Sequence, residues 1–198
     1  FYYQRCGVAK TAPYVLPGYA DVVCHAQDVT CKWYNNPSLS SRWKDLSGGW
    51  HDARDYNKYV NFAYAAVFDL LMSFHLHQQA WVSDEMNIPE SGNGIPDLLD
   101  EIKYETDWLL KMQENDGGVL CVVGVTNFAT ASPPSADNAD RLYGPKTTSA
   151  SYSAAAMFAF AATQFRKVDH VIAQNYAITL QTAAINAYNW AVANPGVL

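Results

Sequence analysis

Apolar residues recur at helical spacing from the middle of this chain to its end, and at no fixed spacing through its first fifty residues. Between Asp55 and His77, the residues Val60, Ala63, Tyr64, Val67, Leu71 and Phe74 return every three or four positions, the period of one helix face. Phe62, Ala66 and Leu70 fall elsewhere on the same wheel, so the pattern predicts a helix buried on most sides. Pro96 stands where a first-turn proline belongs, and Asp97, Asp100 and Glu101 favour the positive end of the helix that follows. Leu98, Ile102, Leu109 and Met112 carry that helix to about Gln113, where Asp116-Gly117-Gly118 stops it. Two further helices are predicted at about 149–165 and 171–193, the first rich in Ala and Ser, which permits close helix approach. No period-two alternation competes over any length. The pattern predicts an all-α fold of four paired helices with long loops, after an irregular segment at 1–50.

Composition narrows what such a chain does. Its 198 residues can bury a sizeable core, and 49% hydrophobic against 16% charged residues requires much of it to be covered. A net charge of −6 and the lack of a basic run argue against nucleic acid. No apolar run is long enough to span a bilayer, so no membrane partner is expected. The chain opens on Phe1-Tyr2-Tyr3 without a Met or a leader peptide and closes on Asn194-Pro195-Gly196-Val197-Leu198, which reads as a segment of a longer product. Aromatic residues make up 14%, and either sugar stacking or core filling would use them. Trp43, Trp50, Tyr56, Trp81 and Tyr143 are candidate sugar platforms, and 141–148, before a helix, is a candidate cleft wall.

The densest chemistry lies in Gly48-Gly49-Trp50-His51-Asp52-Ala53-Arg54-Asp55. Asp52 and Asp55 are three apart at a predicted helix start, which puts them on one side. Two carboxylates so placed can orient and deprotonate a water, the task of the base in an inverting glycosidase. Asp at a helix N-terminus is more often a cap or a dipole partner, and on spacing alone the cap reading is the stronger of the two. Two such carboxylates would titrate as a coupled pair.

Cys6, Cys24, His25 and His51 form a second group. Two thiolates and two imidazoles suit tetrahedral zinc and leave the site neutral. A disulfide among Cys6, Cys24 and Cys31 is the alternative, and spacing favours neither. Cys31 and Cys121 have no assigned partner and are expected as free or buried thiols. His75 and His77, two apart on a helix, point in different directions and do not suggest a metal site. The acidic residues Asp97, Asp100, Glu101, Glu105 and Asp107 fit a solvated helix face better than a calcium loop, which needs convergent oxygens.

These motifs together resemble glycoside hydrolase family nine, the inverting cellulases. The run from Gly48 to Val60 resembles that family's signature. Phe1-Tyr2-Tyr3-Gln4-Arg5-Cys6-Gly7 resembles the start of the catalytic domain in members that carry an N-terminal immunoglobulin-like module. Gly92-Asn93-Gly94-Ile95-Pro96-Asp97-Leu98-Leu99-Asp100-Glu101-Ile102, Asp116-Gly117-Gly118-Val119 and Ala191-Val192-Ala193-Asn194-Pro195 follow in the family's order. The resemblance implies an (α/α)6 barrel of twelve helices, of which residues 1–198 supply about four as the N-terminal portion of one catalytic domain. It implies Asp55 as general base, Asp52 as the carboxylate that helps hold the nucleophilic water, and Cys6, Cys24, His25 and His51 as ligands of a structural zinc. Calcium also occurs in the family, with no ligands assigned here.

The implied activity is hydrolysis of internal β-1,4-glucosidic bonds of cellulose with inversion, by a secreted protein whose partners are β-1,4-glucan and the remainder of its own domain. The general acid is expected outside this segment, since Asp52 and Asp55 are too close for an inverting pair, which needs roughly 6.5–9.5 Å. Glu85, Glu90, Glu101, Glu105 and Glu114 are expected on helix surfaces or connections unsuited to that role. Arg54 replaces the Gly usual in the family's signature and could distort the turn or pair with an Asp. That leaves a glucan-binding pseudoenzyme as one alternative and a zinc module without carbohydrate activity as another.

Overall fold

The computed structural model describes residues 1–52, 55–127 and 131–198. Arg54, and any effect it has on the turn, lies outside the described residues.

Three helices match the periodicity closely: α2 at Asp97–Met112, α3 at Thr148–Phe165 and α4 at Val171–Ala193. The first helix, α1, is Val60–Leu76 and starts five residues later than its apolar pattern suggests. Residues just ahead of it are extended instead, because β2 (Lys58–Tyr59) pairs antiparallel with β3 (Val122–Gly124). A backbone whose N–H and C=O groups are committed to a neighbouring strand cannot also begin a helix.

The all-α expectation is corrected here. A small sheet of order β1-β4-β3-β2 joins Lys32–Trp33 (β1) and Leu142–Tyr143 (β4) to the other two strands. Strands of two or three residues carry no readable alternation, and partners 18 to 110 residues apart specify them.

α3 packs along α4 and α1 packs on α3. The small residues Ala154, Ala161, Ala177 and Ala184 are buried between them, which lets the backbones approach. Thr147 caps α3 by accepting the Ala150 N–H at 3.1 Å. Val67, Leu71, Phe74, Ile102, Phe158 and Leu180 belong to one continuous core.

α1 is not buried on most sides. Val60, Val67, Leu71 and Phe74 are inside, while Phe62 and Leu76 are each 64% exposed. Ile178, Ile185 and Tyr188 are likewise exposed on α4. No described helix is long and apolar enough to cross a membrane.

The solvated acidic face expected on α2 is also overturned: Asp97, Asp100, Glu101 and Glu105 are buried. Buried carboxylates persist only with partners, and most of these have them. Glu101 receives the buried Arg5 guanidinium at 2.9 Å, and Glu90 receives it at 2.8 Å. Asp97 accepts the Met86 N–H and, at 2.7 Å, the Ser91 hydroxyl. The sequence pattern could not reveal this, because Arg5 lies about a hundred residues from Glu101.

Candidate functional site

Residues 4–6 run beside residues 49–51, with the Cys6 N–H bonded to the Gly49 carbonyl and the His51 N–H to the Gln4 carbonyl, both at 2.8 Å. Gly49 is required here. Its φ is +76°, and a Cβ would sit 2.7 Å from the Trp108 ring. The close approach brings Cys6 against His51, and the segment around Cys24 and His25 completes the group. Donor atoms of Cys6, Cys24, His25 and His51 all lie within 4.8 Å of one another and are buried. His25 Nδ1 is 3.1 Å from His51 Nε2, and Cys24 Sγ is 3.9 Å from His51 Nε2. A tetrahedral zinc with bonds of roughly 2.0–2.3 Å would separate such donors by roughly 3.3–3.8 Å. The donor set therefore fits zinc. All four cysteines are free, so none of the disulfides considered from the sequence forms.

Electrostatics agree with the donor chemistry. The bond from Cys6 pulls the Cys24 thiol down to about 6, while the bond to Cys24 and burial push the Cys6 thiol up. Burial lowers His51 and favours the neutral imidazole that binds metals. Asp137 Oδ2 stands 3.4 Å from His25 Nε2, the outer nitrogen, as an orienting carboxylate does behind a metal-bound histidine. Asp137 was not anticipated from the sequence.

Asp52 and Asp55 follow His51 in the chain. The Asp52 N–H bonds the Asn57 carbonyl at 2.8 Å. Neither aspartate caps α1, whose cap position is Tyr59. Asp55 accepts the Asn57 backbone N–H at 3.1 Å, its side-chain amide at 3.2 Å and, more distantly, the Tyr59 hydroxyl at 3.4 Å. Both aspartates act electrostatically on Tyr59. Both are half-exposed, so solvent and a ligand can reach them. Asp52 and Tyr59 line a cavity of about 100 Å³ with Phe1, Trp50, His51 and Glu105. An open groove of about 290 Å³ passes Asn57 and Tyr59 on the other side, with Tyr34 and Leu142 along it.

Tyr56 connects the two groups. Its φ of +53° is unusual for a side-chain-bearing residue, and its ring lies 5.1 Å from His51 and 5.5 Å from His25, centroid to centroid. Of the other aromatic candidates, Trp50 and Tyr143 are core residues, and the Trp81 indole is bonded to Ser73 at 2.9 Å. Trp43 is exposed. Arg141, expected in a cleft wall, is turned inward and fully buried.

A second group of acidic side chains also converges. Oxygens of Asp84, Asp97 and Asp100 lie within 4.8 Å of one another. Asp97 Oδ1 is buried without a hydrogen-bond partner, and burial raises the Asp100 carboxyl to about 7.

The sequence matches the family model described as "Glycosyl hydrolase family 9" over residues 1–198. It is 35% identical over 196 residues to Endoglucanase D of Acetivibrio thermocellus, a match covering 98% of this chain and 30% of that protein. A structure described as "Bacteroides ovatus GH9" superposes with a TM-score of 0.88 at 28% identity, covering 99% of this chain and 36% of that one. A Zn-binding triple mutant of the family 9 endoglucanase J30 superposes with a TM-score of 0.80 at 32% identity, covering 98% and 36%. The chain thus spans about a third of the length of the relatives it matches.

Proposed function

Because the chain belongs to glycosyl hydrolase family 9, we propose that it is the N-terminal portion of an (α/α)6 catalytic domain that hydrolyses internal β-1,4-glucan bonds with inversion. The observation that carries this reading is the bond from the Asp52 N–H to the Asn57 carbonyl, which leaves both aspartates half-exposed, with Asp52 lining a cavity and Asp55 held by Asn57. Asp55 is the general base. Three donors from Asn57 and Tyr59 fix its carboxylate in place. Asp52 shares the water, and the Asn57–Tyr59 groove receives the glucan. The proton for the leaving oxygen comes from a glutamate in the remainder of the domain. The exposed faces of α1 and α4 dock against that remainder, since patches this apolar are normally covered.

Cys6, Cys24, His25 and His51 hold a structural zinc, a reading supported by donor identity, spacing and the Asp137 partner. Bound there, zinc would cross-link the N-terminal segment to the residue next to Asp52. Asp84, Asp97 and Asp100 hold calcium, supported by the unpartnered Asp97 oxygen and the convergence of three carboxylates. Residues 1–7 support placing the protein in the subgroup with an immunoglobulin-like module, and secretion follows from the polymeric substrate.

The test is reducing-sugar release from carboxymethyl cellulose by the protein carrying its complete catalytic domain, with the anomer of the first product followed by NMR. Release of the α-anomer is expected. Glucan binding without hydrolysis would favour the pseudoenzyme, and zinc without glucan affinity would leave only the metal module.

A further inference from the structure

Beneath the aspartate turn lies a buried charge group that neither the zinc nor the proposed chemistry uses. Asp28, Lys58 and Arg141 are all inaccessible to solvent, 1% exposed or less. Asp28 Oδ2 pairs with the Lys58 ammonium at 2.8 Å, and Asp28 Oδ1 accepts from Arg141 Nε at 2.9 Å. Each cation then reaches past Asp28 to the backbone. Lys58 Nζ donates to the Leu46 and Gly48 carbonyls, both at 2.8 Å, just upstream of Trp50-His51-Asp52. Arg141 Nη2 donates to the Tyr56 carbonyl at 3.0 Å, immediately after Asp55. These three bonds therefore hold the backbone on either side of the aspartates. Cys6 Sγ lies 3.6 Å from Asp28 Oδ2, so the same carboxylate also touches the metal group.

We propose that Asp28, Lys58 and Arg141 form a positioning clamp that sets Asp52 and Asp55 for catalysis, with Arg141 acting through the Tyr56 carbonyl and Lys58 through Gly48. Three charges taken out of water cost several kcal/mol each before pairing, and an apolar trio would fill the space without that penalty. What the charged trio adds is directionality: fixed donors aimed at three backbone carbonyls that flank the aspartates. Tyr56 makes the need plain, since its left-handed backbone carries a cost that surrounding bonds must offset. A guanidinium can serve Asp28 and the Tyr56 carbonyl from one rigid fork, which an ammonium cannot do from the same place. A displacement of about 1 Å in a catalytic group lowers turnover about a hundredfold.

The clamp rests on the assignment of Asp55 as base, and the experiment separates the two. In the zinc-loaded protein with its complete domain, Arg141→Lys keeps a cation opposite Asp28 and gives up the Tyr56 bond. Its kcat is expected to fall about 10–100-fold with KM within about threefold of the parent and zinc still at one per chain. Asp28→Asn, which keeps the shape and loses the charge, is expected to shift kcat in the same direction. Normal kcat in Arg141→Lys while Asp55→Asn is inactive would overturn the clamp alone. Normal kcat in Asp55→Asn would overturn both assignments. If neither clamp variant gives folded, zinc-loaded protein, the trio serves the fold as a whole and the proposal falls.

Discussion

Glu105 accepts the backbone N–H of Trp50 through Oε2 at 2.6 Å, while its other oxygen is buried without a hydrogen-bond partner. One turn earlier on α2, Glu101 accepts the Trp50 indole N–H at 2.8 Å. Two carboxylates of one helix thus grip the residue that precedes His51 and Asp52. Burial raises the Glu105 carboxyl from 4.5 to about 8, against the opposing pull of the Trp50 bond. Between those values the folded chain retains a proton that the unfolded chain releases. The stability Glu105 contributes is therefore full below about 4.5 and is lost as pH rises through about 8, with a limiting slope of about 1.4 kcal/mol per pH unit. Glu105→Gln should flatten the decline in urea midpoint between pH 5 and 9, and equal slopes for parent and variant would contradict this.

Zinc removal should loosen the first fifty residues before the helices. Chelation is expected to release one zinc per chain and to expose amides of residues 1–52 to hydrogen exchange, leaving α3 and α4 protected. Cys24→Ser should abolish stoichiometric zinc, and Asp137→Asn should weaken it by 10–100-fold, the usual cost of losing a carboxylate behind a metal-bound histidine. Full zinc retention by Cys24→Ser would remove it from the ligand set.

Asp55→Asn in the complete domain should lower kcat by about 10²–10⁴-fold, the range for loss of a general base, with KM little changed. Asp52→Asn should lower kcat in the same direction. Single-turnover hydrolysis of a soluble cello-oligosaccharide measures this apart from product release.

Gly124→Ala probes the support of Asp55 without touching it. A methyl group at Gly124 would overlap the Asn57 side-chain amide, which bonds Asp55 at 3.2 Å and Tyr59 at 2.8 Å. The overlap should cost about 1–3 kcal/mol of stability and reduce kcat as Asn57 is displaced. A variant with altered stability and unchanged kcat would show that Asn57 does not hold the carboxylate in its working position.

Calcium should raise the melting temperature through Asp84, Asp97 and Asp100. At a concentration one hundredfold above Kd the gain is about 2.7 kcal/mol. Asp100→Asn should abolish the calcium-dependent increment while zinc content stays unchanged. An equal increment in parent and variant would place the ion elsewhere.

The sequence by itself determined the three later helices, because their apolar period, Pro96 and the glycines after Gln113 are local signals that act within a few residues. It also determined which residue types could carry chemistry, since the run from Gly48 to Tyr59 and the Cys24-His25 pair stand together in the chain. Tertiary structure decided the rest. The start of α1 moved because Lys58 and Tyr59 pair with β3, and the carboxylates of α2 are inside because Arg5 and a backbone turn meet them there. Cys6 meets His51 because Gly49 lets Trp108 approach and residues 4–6 pair with 49–51. Asp28, Glu105, Asp137 and Arg141 had no local signature at all. A buried charge is recognisable only from its partner, and these partners come from 30 to 113 residues away, where the periodicity of a single chain segment carries no information.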